Sequence, residues 1–245
     1  AIAHQDDVYE RSWISTLAGA LDRHPTAFAA HCKAIVIDAS GVPVADNPAA
    51  AFKERFWPGD GRELLRPPET ELQMLTRGNY VIAPSVVYRT DAVRQLGGFD
   101  VSFQFVLDWD YWIRGVSRGW RLVGVPQRLL RLRIHPGAKT HAMETTLQRY
   151  EEELRLLQTI PQSLRRRYGL VENTVLSAFA ERLAAGDSDG AHALHEFARA
   201  RIPRFSGSAR DHLMRLALRI GRAAGRLLVA AERFYLTSTR LSRRR

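Results

Sequence analysis

The feature that most constrains the fold is a change of pattern near residue 142. Before it, short apolar runs of strand composition alternate with runs of helical spacing. After it, every apolar pattern repeats at helical spacing. Such alternation predicts an α/β fold, a mixed sheet with flanking helices, over 1–142, followed by an α-helical region over 143–245. At 245 residues the chain is long enough for one α/β domain and a smaller appendage.

The individual elements follow from spacing and breakers. Ser12–Arg23 reads as a helix with Trp13, Leu17, Ala20 and Leu21 on one face, stopped at His24-Pro25. Phe28–Ile37 reads as a strand, with Asp38-Ala39-Ser40-Gly41 as a turn into Val42–Val44. The proline-rich stretch from Asn47 to Pro68 reads as loop, either a flap over a site or a surface connection. Glu69–Thr76 is a short helix, Tyr80–Tyr88 a strand region interrupted by Pro84, and Thr90–Leu96 a helix closed by Gly97-Gly98. Leu107–Gly115 is a helix, and Arg121–Val125 and Leu129–Ile134 are two short strands. Helices are predicted over Glu144–Leu157, Val171–Ala185 and Gly190–Ala200.

Composition excludes several classes. A single cysteine, Cys32, forbids an internal disulfide and reads as a small buried hydrophobe rather than a nucleophile. A reducing compartment fits this usage. No apolar run is long enough to span a bilayer, and the N-terminus lacks the shape of a signal peptide. The first residue is not Met, and the sequence enters directly on what reads as a strand end, so a truncated chain is expected. From Arg201 onward twelve arginines face Asp211 and Glu232, so the tail carries the whole +10 charge and the first 200 residues net to zero.

Three clusters could carry chemistry. His4-Gln5-Asp6-Asp7 places adjacent carboxylates after a short apolar run, where a hard divalent cation would relieve their repulsion; a solvated turn or a helix N-terminal acid pair is the alternative. In Leu107-Asp108-Trp109-Asp110-Tyr111-Trp112, the tryptophans could wall one carboxylate from water and raise its pKa, as a general base needs; an i,i+4 pair of Asp110 with Arg114 is the alternative. Arg131, Arg133 and His135 alternate onto one strand face, a plausible anion-binding edge, and a neutral His135 could complete a metal site.

Five stretches, AHQDDVYERSWISTL, HCKAIVIDASG, IAPSVVYRTDAVRQLGGFD, FVLDWDYWIRGVSRGWRLVGVP and LRIHPG, resemble in order and spacing the family-2 glycosyltransferases of the GT-A fold. The resemblance covers residues 1 to about 140. It implies an incomplete GT-A domain over 1–142, its acceptor-side part. It further implies a metal-dependent, inverting transfer of a sugar from a nucleotide-diphosphate donor to an acceptor hydroxyl. Asp6 would be the last carboxylate of the metal motif and bind Mg²⁺ or Mn²⁺, with His4 as a variant metal ligand and His135 as a further metal or phosphate contact. Asp7, Gly97, Gly98, Phe99, Asp110 and Arg133 would contact substrate, and Asp108 would be the catalytic base. His4 stands where the family keeps an acid, and Leu107 where a Glu is common. The nucleotide-cradling segments expected ahead of the metal motif do not precede Ala1, so the chain alone is expected to be inactive or weak.

In the tail, Arg215, Arg219, Arg222, Arg226 and Arg233 fall on one arc of an ideal helix, with Leu213, Leu216, Ile220, Leu227 and Phe234 opposite. Such a basic amphipathic helix over 211–245 suits an anionic membrane surface, or packing on the domain with a solvated arginine face. The expected location is cytoplasmic, peripheral at the inner face of the cell membrane. A cell-envelope saccharide or lipid-linked acceptor is expected, and no nucleic acid. The rival readings are a non-catalytic acceptor-side binding module and a membrane-surface adaptor acting through the arginine-rich tail.

Overall fold

The computed structural model describes residues 1–45, 47–58, 60–135, 146–160 and 169–241. The chain divides into two compact units, one of Ala1–Glu152 with Thr159–Arg165, the other of Glu153–Gln158 with Arg166–Arg245.

The first unit is α/β. Its strands are β1 (Val8–Tyr9), β2 (Ala27–Ile37), β3 (Leu64–Leu65), β4 (Val86–Tyr88) and β5 (Arg121–Arg133). Its helices are α1 (Trp13–Arg23), α2 (Pro48–Glu54), α3 (Pro68–Leu75), α4 (Thr90–Leu96) and α5 (Leu107–Ser117), and α6 (Gln148–Thr159) begins in it. The five strands form one mixed sheet in the order β1-β5-β2-β4, with β3 also on β5. The long central pair β2 and β5 is parallel, and every other pairing is antiparallel.

Helix α1 packs its predicted face on this sheet: Trp13, Leu17, Ala20 and Leu21 are all buried, in one cluster with Ala30, Cys32, Val123 and Leu130. Cys32 is buried, and burial pushes its thiol up to about 11, as an inert core residue requires. Gly115 on α5 lies so close to the Phe28 ring that an added Cβ would overlap it. Gly115→Ala is therefore expected to cost about 1–3 kcal/mol, the usual cost of overpacking a core, read as a lower midpoint in chemical denaturation.

The structure corrects four sequence expectations. The stretch from Asn47 to Pro68 is not all loop. Asn47 accepts the Ala50 N–H at 2.8 Å as an N-cap, Pro48 starts α2, and β3 follows. A proline at the first helical position starts a helix rather than breaking one. The interruption expected at Pro84 is a 3-10 turn, Ala83–Ser85, but only Val86–Tyr88 after it is strand, and Tyr80–Ile82 ahead of it is not. The segment Val42–Val44 makes only an isolated bridge, Ile37 to Pro43. The two strands predicted over 121–134 are one. Between the pairs Cys32–Val125 and Lys33–Arg128 the register shifts, so Pro126 and Gln127 are bulged out opposite no residue of β2. The bulge absorbs a residue that cannot donate to the ladder. It also separates the partners on the other side of β5: β3 pairs at Val123 and Gly124, β1 at Leu130 and Arg131.

The second unit is helical, with the end of α6, then α7 (Gly169–Ala185), α8 (Ser188–Arg201), α9 (Ala209–Ile220) and α10 (Arg222–Leu241). Asp187 and Ser208 cap α8 and α9 through their side chains. The predicted start of α6 at Glu144 lies outside the described residues. The tail is two helices, not one: Gly221 sits at φ +77° and closes α9 before α10 starts. The arginine arc of a single ideal helix is therefore interrupted, and the side chains of Arg233 and Phe234 lie outside the described set. No described helix is long and apolar enough to cross a membrane.

Candidate functional site

Because β2 and β5 are parallel, their carboxyl ends lie side by side, with Ile37 opposite Arg133. The carboxyl edge of parallel strands is where open α/β sheets place ligands. The loop ahead of β1 arrives at the same edge, since Val8 pairs with Arg131. Three segments distant in sequence thus meet: 4–7, 38–39 and 133–135.

Arg133 ties them together. Its N–H donates to Asp7 Oδ1 at 2.8 Å, its Nε to the Asp6 carbonyl at 2.8 Å, and its Nη1 to the carbonyls of Asp38 and Ala39 at 2.9 Å each. His135 Nε2 lies 3.1 Å from Asp6 Oδ2, and that hydrogen bond holds the Asp6 carboxyl below its ordinary value. His4 Nδ1 is 3.8 Å from Asp7 Oδ2, and its own N–H donates to the Tyr9 hydroxyl at 2.9 Å. Tyr9 in turn rests on Trp13, 4.3 Å between ring centroids, so α1 supports the loop.

Asp7 is the telling member. Its side chain is only 1% exposed, burial pushes its carboxyl pKa up, and its Oδ2 has no hydrogen-bond partner. A buried carboxylate oxygen without a donor costs free energy unless a cation or proton supplies the missing interaction. Ligand atoms of His4, Asp6 and Asp7 lie within 4.8 Å of one another, a spacing that one hard divalent cation can bridge. The two carboxylates would suit a hard cation such as Mg²⁺ or Mn²⁺, whereas the imidazole is a ligand more typical of transition metals. His135 is not one of these three, but its bond to Asp6 can orient that carboxylate.

The second group gathers at the start of α5. Asp108 is partly buried; its Oδ1 accepts the Trp109 N–H at 2.7 Å and its Oδ2 accepts from Asn79 Nδ2 at 3.0 Å. Burial raises the Asp108 pKa, opposed chiefly by the Lys53 charge. Lys53 Nζ donates to the carbonyls of Asn79 at 2.6 Å and Val81 at 3.2 Å, and burial lowers its pKa to about 8. Trp109 Nε1 donates to the Leu75 carbonyl at 3.0 Å, and Trp112 is fully buried and stacked on Tyr88, so both tryptophans pack in the core.

Asp110 takes the i,i+4 alternative. It binds Arg114 at 2.7 Å, and Arg114 donates to the carbonyls of Leu96 and Gly98 at 3.1 and 2.8 Å. The pair fixes the loop where Gly97, at φ +81°, ends α4. Phe99 packs on Tyr111, 4.7 Å between ring centroids, and nothing stands within 4 Å of a Cβ built on Gly97 or Gly98. Pro136 and Gly137, the end of the fifth resembling stretch, lie outside the described residues.

Three site residues escaped the sequence reading: Lys53, Asn79 and Glu152. The Glu152 carboxylate accepts the N–H groups of Gln104, Phe105 and Val106, at 3.0, 2.7 and 3.3 Å, just ahead of α5. It caps from outside the helix that carries Asp108, and no local pattern marks it. No protein-family model matches the chain, and no curated protein matches it.

Proposed function

We propose that the first unit is the acceptor-side part of a GT-A-type glycosyltransferase of the family-2 kind, which transfers a sugar from a nucleotide-diphosphate donor to an acceptor hydroxyl with inversion. The observation that carries this reading is the orphan oxygen of buried Asp7 beside His4 and Asp6, at the carboxyl edge of the parallel strands. His4, Asp6 and Asp7 would hold Mg²⁺ or Mn²⁺, which when bound neutralises the diphosphate leaving group. Asp108, with its raised pKa, takes the acceptor hydroxyl proton as that oxygen bonds to the anomeric carbon and the carbon–oxygen bond to the diphosphate breaks. The products are the inverted glycoside and a nucleoside diphosphate. Asn79 keeps the base oriented, and Arg114 fixes the Gly97–Gly98 loop.

Calorimetry with Mn²⁺, first alone and then with a uridine or thymidine diphosphate-sugar, tests this. Wild-type protein is expected to bind the metal, and Asp6→Ala to weaken that binding by at least about tenfold to a hundredfold, since outer-shell changes alone reach that range. Equal metal binding by the two proteins, or none by either, would sink the metal site. A metal-dependent gain in nucleotide-sugar affinity supports the donor assignment; metal binding without such a gain refutes the donor and leaves a cation site of another kind.

A further inference from the structure

The second unit exposes apolar side chains that its own core does not use. On α9, Asp211, Met214 and Ala217 turn inward, whereas Leu213, Leu216 and Ile220 are 39%, 55% and 56% exposed at helical spacing i, i+3, i+7. On α10, Ala224 and Gly225 are buried and Leu227 is 72% exposed. The exposed faces also carry Arg219, Arg222 and Arg226, and none of these has a carboxylate partner among the described residues. By contrast Arg210 and Arg215, both on α9, are paired to Glu172 and Asp211.

We infer that this face of α9 and α10 docks on an anionic lipid surface. Exposed leucine and isoleucine flanked by unpaired arginine is the chemistry of an interfacial helix, in which apolar side chains enter the acyl boundary and cations meet the headgroups. Either component alone has another explanation. A purely basic face could meet any polyanion, but the leucines would gain nothing against a phosphate backbone. A purely apolar face could meet another protein, but three unpaired guanidiniums at its rim would be left without counter-charge. Exposed apolar and basic residues lie on both sides of the Gly221 break, so each helix offers both components. The inference rests on the second unit alone and does not depend on the transferase reading.

The test is co-sedimentation of the whole chain with phosphatidylcholine vesicles, with and without a phosphatidylglycerol fraction, at low and high salt. Wild type is expected to bind only the anionic vesicles and to be released by salt. Arg219→Glu with Arg226→Glu is expected to weaken binding by more than tenfold, given about fivefold per basic residue at such a surface. Leu216→Glu with Ile220→Glu is expected to abolish it. All four positions are exposed, so unchanged circular dichroism melts will show that the variants fold. Failure of the wild type to sediment with anionic vesicles overturns the inference. So does full-strength binding by the Leu216→Glu, Ile220→Glu variant, which would show a contact made by charge alone with any polyanion.

Discussion

On the proposed transferase reading, Asp108→Asn is expected to lower the rate of sugar transfer by about 10²–10⁴-fold, the usual contribution of a positioned acid or base, while leaving the protein as stable as before or more so. The two halves of this expectation have one cause. Burial raises the Asp108 pKa, so its folded-state value lies above the unfolded one. The native state then binds the proton more tightly, and stability falls as pH rises from the unfolded value through the folded one. Asparagine keeps the shape and never ionises, so it removes that loss. A carboxylate kept only for structure would show the opposite signature, lost stability with unchanged rate. Thermal melts across the acid range alongside transfer assays distinguish the two, and a destabilised but fully active Asp108→Asn protein would refute the base assignment.

The second large effect is expected in the helical unit, with the reverse sign. Asp211 is buried and accepts from Gly207 N–H at 2.7 Å, Arg215 at 2.7 Å and His195 Nε2 at 2.8 Å. Burial would raise its carboxyl, but these donors outweigh it and hold the value down to about 2. The group therefore stabilises the fold fully above its unfolded value, near pH 4, and the contribution is lost as pH falls through about 2. Asp211→Ala leaves the Gly207 amide and His195 without their acceptor and is expected to cost about 3 kcal/mol at neutral pH. Circular dichroism follows the helices, whereas all five tryptophans lie in the first unit, so their fluorescence reports on it separately. An Asp211→Ala melt that matches wild type at neutral pH would refute this account of the network.

The two aspartates show how much of this protein was legible in its sequence. Spacing alone found the core face of α1, because Trp13, Leu17, Ala20 and Leu21 repeat with the helix and need no distant partner to be recognised. Helices α4 and α7 were legible for the same local reasons, a glycine stop in one and a long apolar repeat in the other. The single strand β5 was not. Pro126 is a sound local reason to end a strand, and only the parallel partner β2 shows that it is a bulge. Asp6, Asp7 and Asp108 could be picked out as candidates because acids beside apolar runs are costly. Their partners could not: Asn79 is 29 residues from Asp108, Glu152 is 47 from Phe105, and His135 is 129 from Asp6. In the sequence Asp211 is only one of two acids set against the tail arginines. What makes it matter is His195 on α8, which the repeat of α9 cannot reveal.

The reach of Arg133 has a consequence in time as well as in space. Its amide meets Asp7 across 126 positions of sequence, and its guanidinium ties in the Asp38–Ala39 turn after β2. Closing a loop of that span comes late in folding, because its entropy is lost before any contact returns it. During synthesis the segment 4–7 leaves the ribosome first but must wait for β5 before its carboxylates are held together. A nascent chain that has not yet released Arg133 and His135 therefore carries Asp6 and Asp7 without the groups that hold them, and the 4–7 loop takes its final arrangement only when the last strand enters the sheet.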